Sequence, residues 1–194
     1  MNDHAELIDK FIASFEVVAE NLDVFKTIDS IAAPLAVGPT NEYGQRRWRP
    51  IKVQTDLTAL DPVYAKLPAR FPPLYEQLVL SYRWADVDLQ KFTLLANPPG
   101  DELSGSLQKI MKAKGLWETL IPNGYIQFGK GSDMDYDPVC FDISSRKNRD
   151  YRIVKIDHEE ILCNYRIKVV SEIAPSFRAL VLQTIERAET VPKP

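Results

Sequence analysis

Carboxylates alternate along Asp133-Met134-Asp135-Tyr136-Asp137, and this is the spacing in the 194-residue chain that most resembles a chemical site, the opening of a calcium-binding loop. The rest of such a loop is missing. Its sixth position is Pro138 where a glycine makes the turn, and its twelfth is Ser144 where a bidentate glutamate closes the site. Asp137 and Asp142 instead suit acceptance of backbone N–H groups at the two ends of a strand, with Asp133 and Asp135 in an exposed acidic turn. His158, beside Asp157, Glu159 and Glu160, has the composition of a supported general base, but adjacent helical residues do not face one another. Capping is the better reading, with Asp157 at the N-cap and the glutamates in the first turn. A metal-dependent hydrolase built on Asp133, Asp135, Asp137 and His158 stands as the enzymatic alternative. No Gly-rich phosphate loop, Gly-x-Ser-x-Gly elbow or paired-His spacing occurs, so neither catalytic residue nor metal nor cofactor is expected.

The elements that must position these residues are legible from periodicity. Apolar residues from Leu7 to Phe25 recur at helical spacing, among them Phe11, Phe15, Val18 and Leu22. Residues 29–50 collect Pro34, Gly38, Pro39, Asn41, Gly44 and Pro50, the composition of a long connection. Its Arg46-Arg47-Trp48-Arg49 cluster reads as an Arg-rich turn anchored by a buried Trp or as a partner contact. Pro72 and Pro73 start a second helix that runs to Trp84, Lys91–Ala96 forms a strand, and Leu103, Leu107, Ile110 and Met111 form a third helix ended by Gly115. Residues 125–128, 138–143 and 151–156 alternate as antiparallel strands, with Phe141 deepest and a solvated hairpin over 144–150. A short helix over 158–162 and a closing helix from Ser171 to Arg187 complete an α+β plan.

Length and a hydrophobic content of 45% suit one core, read as residues 1–60 elaborating a central unit of 61–188, with a frayed tail over 189–194. No apolar run is long enough for a membrane span, and the first residues lack a secretory pattern, which points to the cytoplasm. Cys140 and Cys163 read as free thiols, buried or half buried. A net charge of -3 without a basic cluster argues against direct nucleic-acid binding.

Five signals in order carry a resemblance: Leu67-Pro68 before a helix with Tyr75 and Leu78, the strand Ile126–Gly129, the acidic turn into Asp137-Pro138-Val139-Cys140-Phe141-Asp142, Asp157-His158-Glu159-Glu160, and Ser176-Phe177. Over roughly residues 64–184 the chain resembles the SUKH superfamily of bacterial toxin-immunity proteins and fungal cell-wall regulators. Met134 and Tyr136 stand where that family favours small residues, and the second helix ends in Ser81-Tyr82-Arg83-Trp84 instead of Asn-Gly.

The resemblance implies a single α+β domain that binds protein and catalyses nothing. The implied role is an immunity protein that occludes a cognate nuclease or deaminase toxin, with a regulatory or scaffolding role as the alternative. Candidate contacts are Asp133, Asp135 and Tyr136 in the acidic turn, with Tyr43, Arg47 and Trp48 in the long connection.

Overall fold

A computed structural model describes residues 3–19, 26–27, 33–99, 115–132 and 135–191. The first helix, α1 (Asp3–Val18), buries Leu7, Ile8, Phe11, Phe15 and Val18 on one stripe, as its spacing predicts, but it stops at Val18. Its predicted extension through 20–25 lies outside the described residues. The long connection is better organised than its turn residues suggest. Short strands β1 (Lys26–Thr27), β2 (Ala36–Val37) and β3 (Gln45–Trp48) pair in the order β1-β3-β2. Asn41 shapes the β2–β3 turn, its Oδ1 accepting the N–H groups of Tyr43 and Gln45 at 3.0 and 2.9 Å.

Next come β4 (Ile51–Lys52), a 3-10 turn over Leu57–Leu60, α2 (Asp61–Tyr64) and α3 (Pro73–Ser81). Helix α3 ends three residues before the predicted Trp84, because Tyr82 turns extended and β5 (Tyr82–Arg83) pairs with β4. A helix end orphans its last carbonyls. Here Arg83 Nη1 and the fully buried Asn97 Nδ2 donate to the Val79 carbonyl at 2.7 and 3.0 Å, and Asn97 also donates to Tyr82 at 2.8 Å.

The remaining strands form one antiparallel meander. These are β6 (Val87–Asp88), β7 (Thr93–Leu94), β8 (Tyr125–Lys130), β9 (Pro138–Lys147), β10 (Asp150–Ile156) and β11 (Val169–Ala174), paired in the order β11-β10-β9-β8-β7-β6. The predicted strand over 91–96 shortens to β7. The predicted third helix lies outside the described residues, although Gly115 has φ 70, the left-handed conformation of a residue that ends one. The solvated hairpin of 144–150 shrinks to a two-residue turn, as β9 continues to Lys147 and both Asn148 (φ 51) and Arg149 (φ 64) turn left-handed.

Three short helices interrupt or follow the sheet: α4 (Trp117–Leu120), α5 (His158–Asn164) and α6 (Phe177–Thr190). The start of α6 corrects the reading of 171–176, where β11 pairs with β10 through Val154↔Glu172 and Lys155↔Ser171. Pro175 drives its predecessor toward extended backbone, and Ser176 caps α6 by accepting the Ala179 N–H at 3.0 Å. At its other end α6 reaches Thr190, so the helix includes residues assigned to the tail; 192–194 lie outside the described residues.

Helices α1, α3 and α6 pack on one face of the sheet around Tyr75, Phe128, Phe141 and Phe177, all buried. Phe141 stacks on Phe128 with ring centroids 4.1 Å apart and 12° between planes, while Tyr75 meets Phe141 edge-on at 5.2 Å. Phe11 of α1 reaches Phe177 at 6.4 Å, so the N-terminal helix shares this core. On the opposite face Cys140, Val154 and Ile156 pack with Leu116, Leu120 and Ile161 in a second, smaller cluster. The sheet is therefore covered on both sides at the level of β9 and β10, which is why the neighbours Cys140 and Phe141 are both fully buried, whereas Cys163, expected to be buried or half-buried, is exposed on α5. No described helix is long and apolar enough to cross a membrane.

Candidate protein-binding face

The segment entering β9 closes on itself before it meets anything else. Asp135 Oδ1 accepts the Asp137 N–H at 2.9 Å, and the Gly131 N–H donates to the Asp137 carbonyl at 2.9 Å. A side chain at Gly131 would collide with the Asp135 carboxylate, so a glycine is required by close approach alone. The other Asp135 oxygen accepts from Lys155 Nζ at 2.8 Å. Burial pushes this carboxyl's pKa up, but the Lys155 ammonium, the Asp137 N–H and nearby His158 outweigh it and hold the group below its ordinary value.

Asp137 and Asp157 anchor α5. One Asp137 oxygen accepts both the His158 backbone N–H at 2.9 Å and His158 Nδ1 at 2.7 Å. Asp157 caps the helix by accepting the Glu160 N–H at 3.1 Å, and its second oxygen accepts from Lys168 Nζ at 2.9 Å. The capping role expected for Asp157 and the backbone acceptance expected for Asp137 and Asp142 are both present, since Asp142 Oδ1 accepts the Ser144 N–H at 3.1 Å, but Asp142 lies within β9 and not at a strand end, because the strand runs on to Lys147. Of the two acidic residues expected to line an exposed turn, Asp135 is half-buried and acts as a brace. Asp133 lies outside the described residues.

These pieces enclose an open groove of about 520 Å³ lined by 135–137, 157–159 and 168–170. Tyr136 is the aromatic at its rim, 43% exposed, with its ring 6.1 Å from that of His158 in an edge-on arrangement. Val169 and Val170 form the apolar wall. Val170 is the extra residue of a bulge, because Ile156 pairs with Val169 and Lys155 with Ser171, and the bulge leaves both valines exposed. Leu162 and Tyr165, on and just after α5, are also exposed. Tyr165 is 79% exposed and left-handed at φ 52, a conformation costly for any side chain and here tied down by its N–H to the carbonyls of Glu160 and Ile161.

The second group of sequence-predicted contacts lies elsewhere. Tyr43 and Arg47 are exposed on the β2–β3 hairpin and do not line the groove. Trp48 has no exposed surface, so of its two readings the buried anchor holds and the partner contact does not. Sequence reasoning missed Lys155, Lys168, Val169 and Val170. The signal was present in the β-branched pair followed by the Pro175 break, but Ile173 and Phe177 also fit a helical stripe, and a helix begun at Ser171 left the pair outside any strand.

For the enzymatic alternative, the carboxylates of Asp135 and Asp137 are each engaged by an internal partner, and no three His, Cys, Asp or Glu residues among the described ones are grouped to hold a metal. No family model matches this sequence and no curated protein matches it.

Proposed function

We propose that this chain is a non-catalytic protein-binding domain that presents the groove of Tyr136, α5 and β11 to a single partner. The observation that carries the reading is the pairing of exposed apolar side chains, Tyr136, Val169 and Val170, with three aspartates, Asp135, Asp137 and Asp157, that are already locked into internal bonds. A surface of that kind is pre-organised, so little conformational entropy is lost when a partner covers it. Contiguous exposed apolar area with a polar border is the signature of an interaction site.

The SUKH resemblance supplies the class of partner: a cognate toxin of nuclease or deaminase type, held in the cytoplasm with its active face occluded. Four carboxylates around the groove, at Asp135, Asp137, Asp157 and Glu159, face only two ammonium groups, at Lys155 and Lys168. That balance favours encounter with a basic protein. Growth rescue tests the function. Titrating expression of this protein against its toxin should restore growth at equimolar amounts; rescue at amounts far below equimolar would mean turnover and overturn a binding-only role.

A further inference from the structure

We infer that the partner contributes an extended segment carrying basic residues, which adds to the free edge of β11 as a seventh strand of the sheet. This deepens the protein-binding reading and rests on it. Strand β11 is the terminal strand of the meander, and among the described residues nothing pairs with its outer edge. An uncovered edge presents unpaired N–H and C=O groups, a template that extended peptides use. The usual protections of such an edge are short length, charge, bulges or a covering loop. Here the bulges at Val170 and Ile173 are present, yet at Val170 the bulge exposes apolar surface instead of hiding it.

Charge complementarity selects the occupant. The groove that Val169 and Val170 of this strand line also holds Asp157 and Glu159, and Lys168 is already bound to Asp157. Among the described residues the Glu159 carboxylate has no hydrogen-bond or ion-pair partner, and it is exposed. A strand laid along Val169 and Val170 would carry alternate side chains toward these residues, where an apolar side chain would pack on the exposed valines and Lys or Arg would meet Glu159. Acidic segments would face the same carboxylates and be repelled.

The test uses the full chain and three probes: a short blocked peptide alternating Val with Lys, its counterpart with Glu for Lys, and a Lys peptide N-methylated at alternate residues. Amide chemical shifts and hydrogen exchange are followed by NMR. The basic peptide should bind with half-saturation by about 1 mM, protect amides of residues 168–172, and outbind the other two by at least about tenfold. The Glu159→Arg variant should reverse the preference between the basic and acidic peptides. Shifts at Tyr136 and His158 without protection of β11 amides would overturn the strand-addition mode and leave the groove as a binding face. An absence of any perturbation would remove both. Protection of 168–172 that appears without peptide and grows with protein concentration would assign the edge to a second copy of the chain and contradict the inference.

Discussion

One oxygen of Asp137 receives two hydrogen bonds from a single residue, His158, through its backbone N–H at 2.9 Å and its Nδ1 at 2.7 Å. Because an ionised carboxylate only accepts, Nδ1 must carry a proton in this arrangement. The bond fixes α5 against the start of β9 across 21 positions of sequence and so determines where the groove's aromatic rim stands relative to β11. His158→Ala retains the backbone bond and should cost about 1 kcal/mol, the worth of one hydrogen bond. Amide exchange at 135–137 should accelerate. His158→Asn, which keeps a donor near the Nδ1 position, should recover most of both effects; equal loss in the two variants would mean that ring packing matters and the bond does not.

Phe141 sits between Phe128, stacked at 4.1 Å, and the edge of Tyr75 at 5.2 Å. Truncating it empties a fully enclosed site. Phe141→Ala is expected to cost about 3–5 kcal/mol, read as a lowered urea midpoint with unchanged slope.

Arg149 occupies the second central position of the β9–β10 turn at φ 64, following Asn148 at φ 51. Glycine is the natural residue there, since a side chain in this conformation costs about 1 kcal/mol or more, partly offset by glycine's larger entropy loss on folding. Arg149→Gly should raise stability by about 0.5 kcal/mol. A lowered melting temperature would show that the arginine makes a contact worth more than its strain.

Asp142 is buried and its Oδ2 accepts from Arg152 Nη2 at 2.6 Å. Burial raises its pKa, but Ser144 and Arg152 outweigh burial, so the folded carboxyl titrates below the ordinary 3.8. A depressed folded pKa means stability that is complete above the unfolded value of about 4 and lost as pH falls through the folded value. Asp135 adds to the same window with the same sign. Denaturation midpoints should therefore be flat from about pH 7 to 5 and fall below about pH 4, and Asp142→Asn should shallow that fall. An unchanged acid limb in the variant would assign acid lability to other carboxylates.

What the sequence made legible was whatever rests on local pattern. The helical stripe of α1, the alternation of β8 to β10, the depth of Phe141 and the caps of Asp157 all follow from neighbouring residues. What it hid depends on distant partners. Asp150 accepts the N–H groups of Phe177 and Arg178 at 3.0 and 3.1 Å, a helix cap supplied from 27 and 28 residues away, and Asp135 finds Lys155 across two strands. Strand β11 was hidden for a different reason: Ile173, Phe177 and Leu180 repeat at helical spacing by coincidence, and only Pro175 marks the boundary. The groove follows from that strand, so its apolar wall was illegible while its acidic rim was not.

The most direct measurement compares partners retained from the native host by the tagged full chain and by a Tyr136→Ala, Glu159→Arg double variant, with thermal unfolding of both recorded in parallel. Both side chains lie on the surface, so the change should leave stability within about 0.5 kcal/mol, while loss of an interface aromatic that the partner fully covers can cost about 2 kcal/mol or more of binding. The expected result is one protein retained near equimolar amounts by the natural chain and reduced at least about tenfold by the variant at equal stability. Equal retention by the two chains would contradict a partner-binding face built on Tyr136, α5 and β11.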